Sequence, residues 1–183
     1  SLVLLNSRER MHEVVRLVRT KEDELADRGV SVLMQGESGP AEIATRFRDD
    51  HGTVLYGLRS YWAGFDAPGE TLSYLFVEKP PYPHPEDPLQ QARQRLVREA
   101  GGDSFMDYVV PTTAVSLSQG VGRLIRHETD RGAVVLYDRR MLQPSSANHQ
   151  LLSTLPSNNI VEAVDRDDAW TKAISFVTGE EPD

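Results

Sequence analysis

The chain has 183 residues, of which 39% are hydrophobic and 26% charged, a size that supports one substantial core in one domain, and no apolar run approaches a membrane span, so no membrane protein is expected. The formal charge of −8 weighs against strong autonomous binding to nucleic acid, whose backbone is held by neutralising its phosphates. There is no cysteine, which excludes disulfides and thiolate metal sites, and His12, His51, His84, His127 and His149 show no ligand spacing, so no metal centre is expected within the chain.

Short apolar strands alternate with amphipathic helical stretches, which predicts an α/β domain with a mostly parallel sheet covered on both faces. The chain opens on Ser1, without a methionine or a signal peptide, and reads as an excised piece of a longer protein. Residues 2–5 read as the first strand. A helix follows with Met11, Val14, Val15, Val18 and Leu25 on one stripe, opened by a capping box of Asn6 and Glu9 and stopped at Gly29. A strand at 30–34, a helix at 40–47 with Pro40 in its first turn and a strand at 53–56 come next. The block 59–70 is punctuated by glycine and turns at Pro68-Gly69 before a strand at 72–77. Residues 80–85 (PPYPHP) form only an irregular or polyproline loop. Helix resumes after Asp87 and ends at Gly101-Gly102, another begins near Pro111, and 133–137 is the last clear strand. The acidic pairs Asp49-Asp50 and Asp167-Asp168 read as solvated helix ends, and the tail 179–183 is expected to fray.

The segment QGVGRLIR, residues 119–126, carries the most functional information. As one helix it puts Gln119, Gly122, Arg123 and Arg126 on one side and Val121, Leu124 and Ile125 on the other, an aimed face opposite a core face. Two glycines inside a helix each cost about 1 kcal/mol against alanine, which points to close approach of a backbone or ligand. Two guanidiniums a turn apart suit phosphate oxygens, although an ordinary exposed face with two arginines has the same pattern. The chain has no G-x-x-x-x-G-K-[ST] loop and no Asp-Glu pair after an apolar strand, so the phosphate cradle and magnesium of a nucleotide would have to be held elsewhere.

Residues 119–126, with the run from Asp130 to Arg140, resemble motif VI of superfamily two helicases and the strand after it in the DinG/XPD branch. Residues 59–70 are similar to motif V, residues 2–7 look like motif IV, and Gln35-Gly36 sits where the family has a strand end. The resemblance covers nearly the whole of 1–183. It implies a single RecA-like (P-loop NTPase-like) three-layer domain, the second motor domain of a bacterial DinG-type ATP-dependent helicase moving 5′ to 3′ on single-stranded DNA. ATP and Mg²⁺ would be held mainly by a first motor domain outside the chain, and any iron–sulfur cluster would also lie outside it. The implied roles are an arginine finger at Arg126 supported by Arg123, nucleotide contacts at Gln119, Gly122, Gly64 and Asp66, and nucleic-acid contacts at Ser7, Arg59 and Ser60. Ala63 stands where relatives carry an acidic residue, and Tyr61 and Trp62 read as core more readily than as base-stacking groups. The implied setting is cytoplasmic and nucleoid-associated. A non-catalytic helicase-like interaction module is the alternative.

Overall fold

The computed structural model describes residues 1–58, 61, 72–122, 124, 131–155 and 161–179. Five strands form one sheet: β1 (Leu2–Leu5), β2 (Ser31–Met34), β3 (Thr53–Leu58), β4 (Tyr74–Val77) and β5 (Ala133–Leu136), in the order β2-β3-β1-β4-β5. Every pairing is parallel, with Leu4 opposite Gly57 on one side and Val77 on the other. All carboxyl ends therefore open on one edge, and β1 stands at the centre of the sheet.

The strands are apolar on both faces because both are covered. On one face Leu2, Leu4, Leu33, Leu55, Leu75 and Val77 meet Ile43 and Phe47 of α3 (Pro40–Asp49) and Leu117 of α5 (Val110–Val121). On the other face Leu5, Met34 and Tyr56 meet Met11 and Val15 of α1 (Arg8–Arg19). At the β4–β5 end of that second face, α7 (Arg166–Thr178) lays Trp170 against Phe76, with ring centroids 4.7 Å apart. A third cluster joins α5 to α6 (Ser146–Ser153) through Val110, Ala114, Met141, Ala147 and Leu151. This is the α/β layering that the alternating pattern predicts.

Several local expectations need correction. Ser7, not Asn6, caps α1, its Oγ accepting the Arg10 N–H at 3.1 Å. The first helix does not run to Gly29. Thr20 and Lys21 bond back to Leu17 and Val18, three residues away, and the Thr20 hydroxyl also donates to the Leu17 carbonyl. This tightened turn closes the helix, and Glu22, Asp23 and Glu24 then start α2 (Glu22–Asp27), where acidic groups favour a helix N-terminus. Residues after the last strand supply two helices, α6 and α7, that the sequence reading did not assign. The helix α4 (Pro88–Glu99) is capped by Asp87 as expected, but a π-helical turn at Phe105–Val109 precedes α5. Asp49 ends α3, and Asp167 and Asp168 lie in the first turn of α7, as expected for solvated helix ends. No described helix is long and apolar enough to cross a membrane.

Candidate functional site

Two edges of the sheet carry the residues of interest. At the carboxyl edge β1 hands over to α1 through Ser7, whose extended backbone lets its hydroxyl turn into the first helical turn. The hydroxyl accepts from Arg10 and still has its own O–H as a donor at an exposed position. Beside it the Asn6 N–H donates to Glu78 Oε2 at 3.1 Å, and Glu78 Oε1 lies 3.5 Å from Arg10 Nε, so the end of β4 is tied to the end of β1.

At the end of β2, the Gln35 N–H donates to the Tyr56 carbonyl at 2.8 Å and its Oε1 accepts the Leu58 N–H at 2.7 Å, extending the β2–β3 pairing past Met34. Gly36 then turns with φ +96°, a conformation that strains other residues. Glu37 accepts both arms of the Arg19 guanidinium, one at 2.8 Å, and also the Met34 N–H. The Arg19 hydrogen bond holds the Glu37 carboxyl below the usual carboxylate range. Between α1 and this loop lies a pocket of about 140 Å³ lined by the apolar Met11, Met34 and Leu58 and by Arg8, His12, Gln35 and Gly36.

At the end of β5, Asp138 is 9% exposed and caps the short 3₁₀ turn Arg139–Leu142. Its carboxylate accepts from Arg140 Nε at 2.9 Å and Nη2 at 2.6 Å and from the Arg140 N–H at 3.1 Å. Those bonds from Arg140 hold its pKa below the ordinary carboxylate value against the opposing effect of burial, with Lys79 a smaller influence.

The opposite, amino-terminal edge holds the end of α5. The helix ends at Val121 and Gly122 is its cap, with φ −61° and its N–H bonded to the Ser118 carbonyl. The single helix expected over 119–126 is thus corrected: the helix includes Gln119, Gly120 and Val121 and ends there, so of the two glycines only Gly120 lies inside it and the helical cost assigned to Gly122 does not apply. The wheel reading holds for Leu124, which is buried in the main core. A Cβ on Gly132 would come within 2.6 Å of the Leu124 side chain, so glycine permits this packing just ahead of β5 and Leu124 sits at the amino ends of the strands. Gln119 is exposed one turn earlier. Ser7 and Gln119 are therefore on different edges rather than together. Arg123, Arg126, Gly64, Asp66, Arg59 and Ser60 lie outside the described residues, as does Trp62. Tyr61 packs against the core beside Gly57, in keeping with the core reading.

With the geometry in view, the comparisons with known proteins decide the family. Residues 1–158 match the helicase C-terminal domain family. This chain belongs to that family. Over 128 residues the helicase C-terminal domain is 40% identical to the Mycobacterium tuberculosis protein named ATP-dependent helicase DinG, covering 69% of this chain and 19% of that protein. Over 126 residues it is 39% identical to the Escherichia coli protein named ATP-dependent DNA helicase YoaA, covering 68% and 20%. The Bacillus subtilis protein named 3′-5′ exonuclease DinG is 28% identical over 182 residues, which is 98% of this chain and 18% of that protein. The chain spans about a fifth of the length of these relatives. A solved XPD helicase superposes with a TM-score of 0.56 at 18% identity, over 87% of this chain and 28% of that one, which assigns the RecA-like fold.

Sequence reasoning missed the Asp138–Arg140 pair, the Arg19–Glu37 clamp and the pocket beside α1. The first was in view, since Asp138 and Arg140 are two apart after an apolar strand. The second joins residues 18 apart through packing alone.

Proposed function

We propose that this helicase C-terminal domain is the second motor domain of an ATP-dependent 5′–3′ DNA helicase of the DinG/XPD type. It closes on a first motor domain of the complete protein and shares a track of single-stranded DNA with it. The observation that carries the reading is the division of labour between edges. A helix N-terminus with an exposed hydroxyl faces out at the carboxyl edge, where parallel sheets take ligands, and the motif VI segment is anchored by Leu124 on Gly132 at the other edge. Gln119 and Gly122 then approach the nucleotide from one edge while Ser7 meets the nucleic acid at the other, and the block 59–70 that follows β3 contributes to both sites and so couples them.

In this reading Ser7 donates to a strand phosphate at the α1 N-terminus, with Arg59 and Ser60 beside the same track. Gln119 and Gly122, with Gly64 and Asp66, approach the nucleotide. Arg126, supported by Arg123, neutralises charge developing on the transferred phosphoryl group. Among the described residues no group of three His, Asp or Glu could hold a metal, and the sequence has no phosphate loop. The donor set fits the arginine side of a nucleotide site, so the phosphate cradle and Mg²⁺, which would neutralise phosphate charge when bound, are assigned to the first motor domain. An iron–sulfur cluster, where the protein has one, belongs there too. On this reading the protein is cytoplasmic and nucleoid-associated.

The test is DNA-stimulated ATP hydrolysis by the complete protein carrying Arg126→Ala. A fall in kcat of about 10³-fold or more, with nucleotide affinity little changed, is expected, and Arg126→Lys should rescue poorly because a point charge cannot replace a planar fork. Near-normal turnover would remove Arg126 from the chemistry. The second reading, a helicase-like module without turnover, is favoured by the exonuclease name of the relative that matches almost the whole chain. Complete protein that hydrolyses no ATP with or without DNA would establish it.

A further inference from the structure

We infer that the single-stranded nucleic-acid track continues along the carboxyl edge beyond the motif residues, with phosphates on Arg8, Lys79 and Arg139 and a base stacked on Phe105. The inference rests on the helicase reading above and extends it to residues that no motif supplies. Lys79 and Arg139 follow β4 and β5, which are neighbours, and Arg8 follows β1, the next strand, with its side chain lining the pocket toward β2 and β3. All three are exposed, and none has a hydrogen bond or ion pair among the described residues. The carboxylates around them are engaged elsewhere. Glu78 takes the Asn6 N–H and faces Arg10, and Asp138 is covered by Arg140. A chain with a net charge of −8 thus presents three cations at this edge without a hydrogen-bonded or ion-paired partner among the described residues, Lys79 acting on Asp138 only at longer range.

Phe105 supplies what distinguishes a single strand from any other polyanion. Tyr82 packs against the cluster that holds Met141, two residues beyond Arg139, and Phe105 stacks on Tyr82 with ring centroids 6.4 Å apart and 28° between planes. Tyr82 is packed into the cluster formed by α5 and α6, which fixes the stack. Phe105 itself stays 46% exposed at the head of the π-helical turn, a conformation that recurs at functional sites. The nearby carboxylates of Asp103 and Asp107 accept backbone N–H groups of their own turn, at 2.8 Å to Phe105 N and 2.8 Å to Asp103 N. Every base has a π-face, so a rigid aromatic ring beside a cationic row is the pattern for a sequence-tolerant single-strand site.

The test uses the complete protein and a fluorescein-labelled oligo(dT), titrated by anisotropy over a range of salt. Phe105→Ala and Phe105→Leu should each weaken binding roughly tenfold, while Phe105→Tyr binds like the parent, because only the flat π-face matters. Lys79→Gln with Arg139→Gln should lower the slope of log affinity against log salt by about 1.4, the value for two phosphate contacts on a single strand. ATP hydrolysis without DNA should not change in any variant. Parent protein that binds the strand, with Phe105→Leu and the double variant matching it in affinity and slope, overturns this proposal and leaves the motor reading intact. Parent protein that neither binds the strand nor hydrolyses ATP overturns both. Equal losses for Leu and Tyr at Phe105 would make the ring a packing group and overturn the stacking assignment.

Discussion

At the scale of single residues, the buried carboxylate of Asp138 and the contact between Leu124 and Gly132 show how much one atom can decide. Asp138 has a depressed pKa because Arg140 donates to its charged form, so its contribution to stability is present above the ordinary carboxylate pKa and is lost as pH falls through the lower folded value. Glu37, held down by Arg19, adds a contribution of the same sign. Asp138→Asn should cost about 1–2 kcal/mol at neutral pH and flatten the fall in stability below about pH 4, measured as urea midpoints against pH. An unchanged acid profile would show that the pair contributes nothing. At Gly132 a methyl group must displace Leu124, so Gly132→Ala should destabilise by about 1–3 kcal/mol. Combining it with Leu124→Ala should cost less than the sum of the two single changes, because the second opens the room the first needs. Strict additivity in that cycle would mean the segment is seated by other contacts. The sequence pattern marked Leu124 as core but was silent on Gly132, since nothing local says which glycine faces which leucine.

At the scale of elements, capping separates two roles that Ser7 combines. Ser7→Ala removes the acceptor for the Arg10 N–H and should cost about 1 kcal/mol of stability. Ser7→Asp keeps a good cap and should melt within a few degrees of the parent, yet it places a negative charge where a strand phosphate would lie. Its affinity for single-stranded DNA in the complete protein should therefore fall by roughly tenfold or more. Asp that binds as well as Ser would reduce Ser7 to a cap alone. Two helix starts were legible, at Asp87 before Pro88 and at Pro40, whereas the Ser145 and Asp165 caps of α6 and α7 were not read. The break between α1 and α2 was not, because the stripe from Met11 to Leu25 keeps its helical period through it. The break is made by backbone bonds of Thr20 and Lys21, which leave no periodic trace.

At the scale of the whole molecule, the domain carries its own core on both faces of the sheet but lacks a phosphate loop. The 183-residue chain alone should fold cooperatively and show no ATP turnover above a heat-treated control. It should bind single-stranded DNA only weakly, with affinity collapsing as salt rises, as its acidic balance requires. Measurable turnover by the isolated chain would undo the division of labour between two motor domains. What the sequence by itself determined was the local part: apolar runs that must be doubly buried strands, helical stripes, and the capping and turn residues between them. These follow from periodicity and from backbone preferences that act within a few residues. The order β2-β3-β1-β4-β5, the central place of β1 and the separation of Ser7 from Gln119 onto opposite edges were decided only by the tertiary structure. So were the meeting of Arg19 with Glu37, of Glu78 with Asn6, and of Tyr82 with Phe105. Each depends on which strands become neighbours, and that choice is made by the summed burial of both sheet faces, a property no short segment of the chain contains.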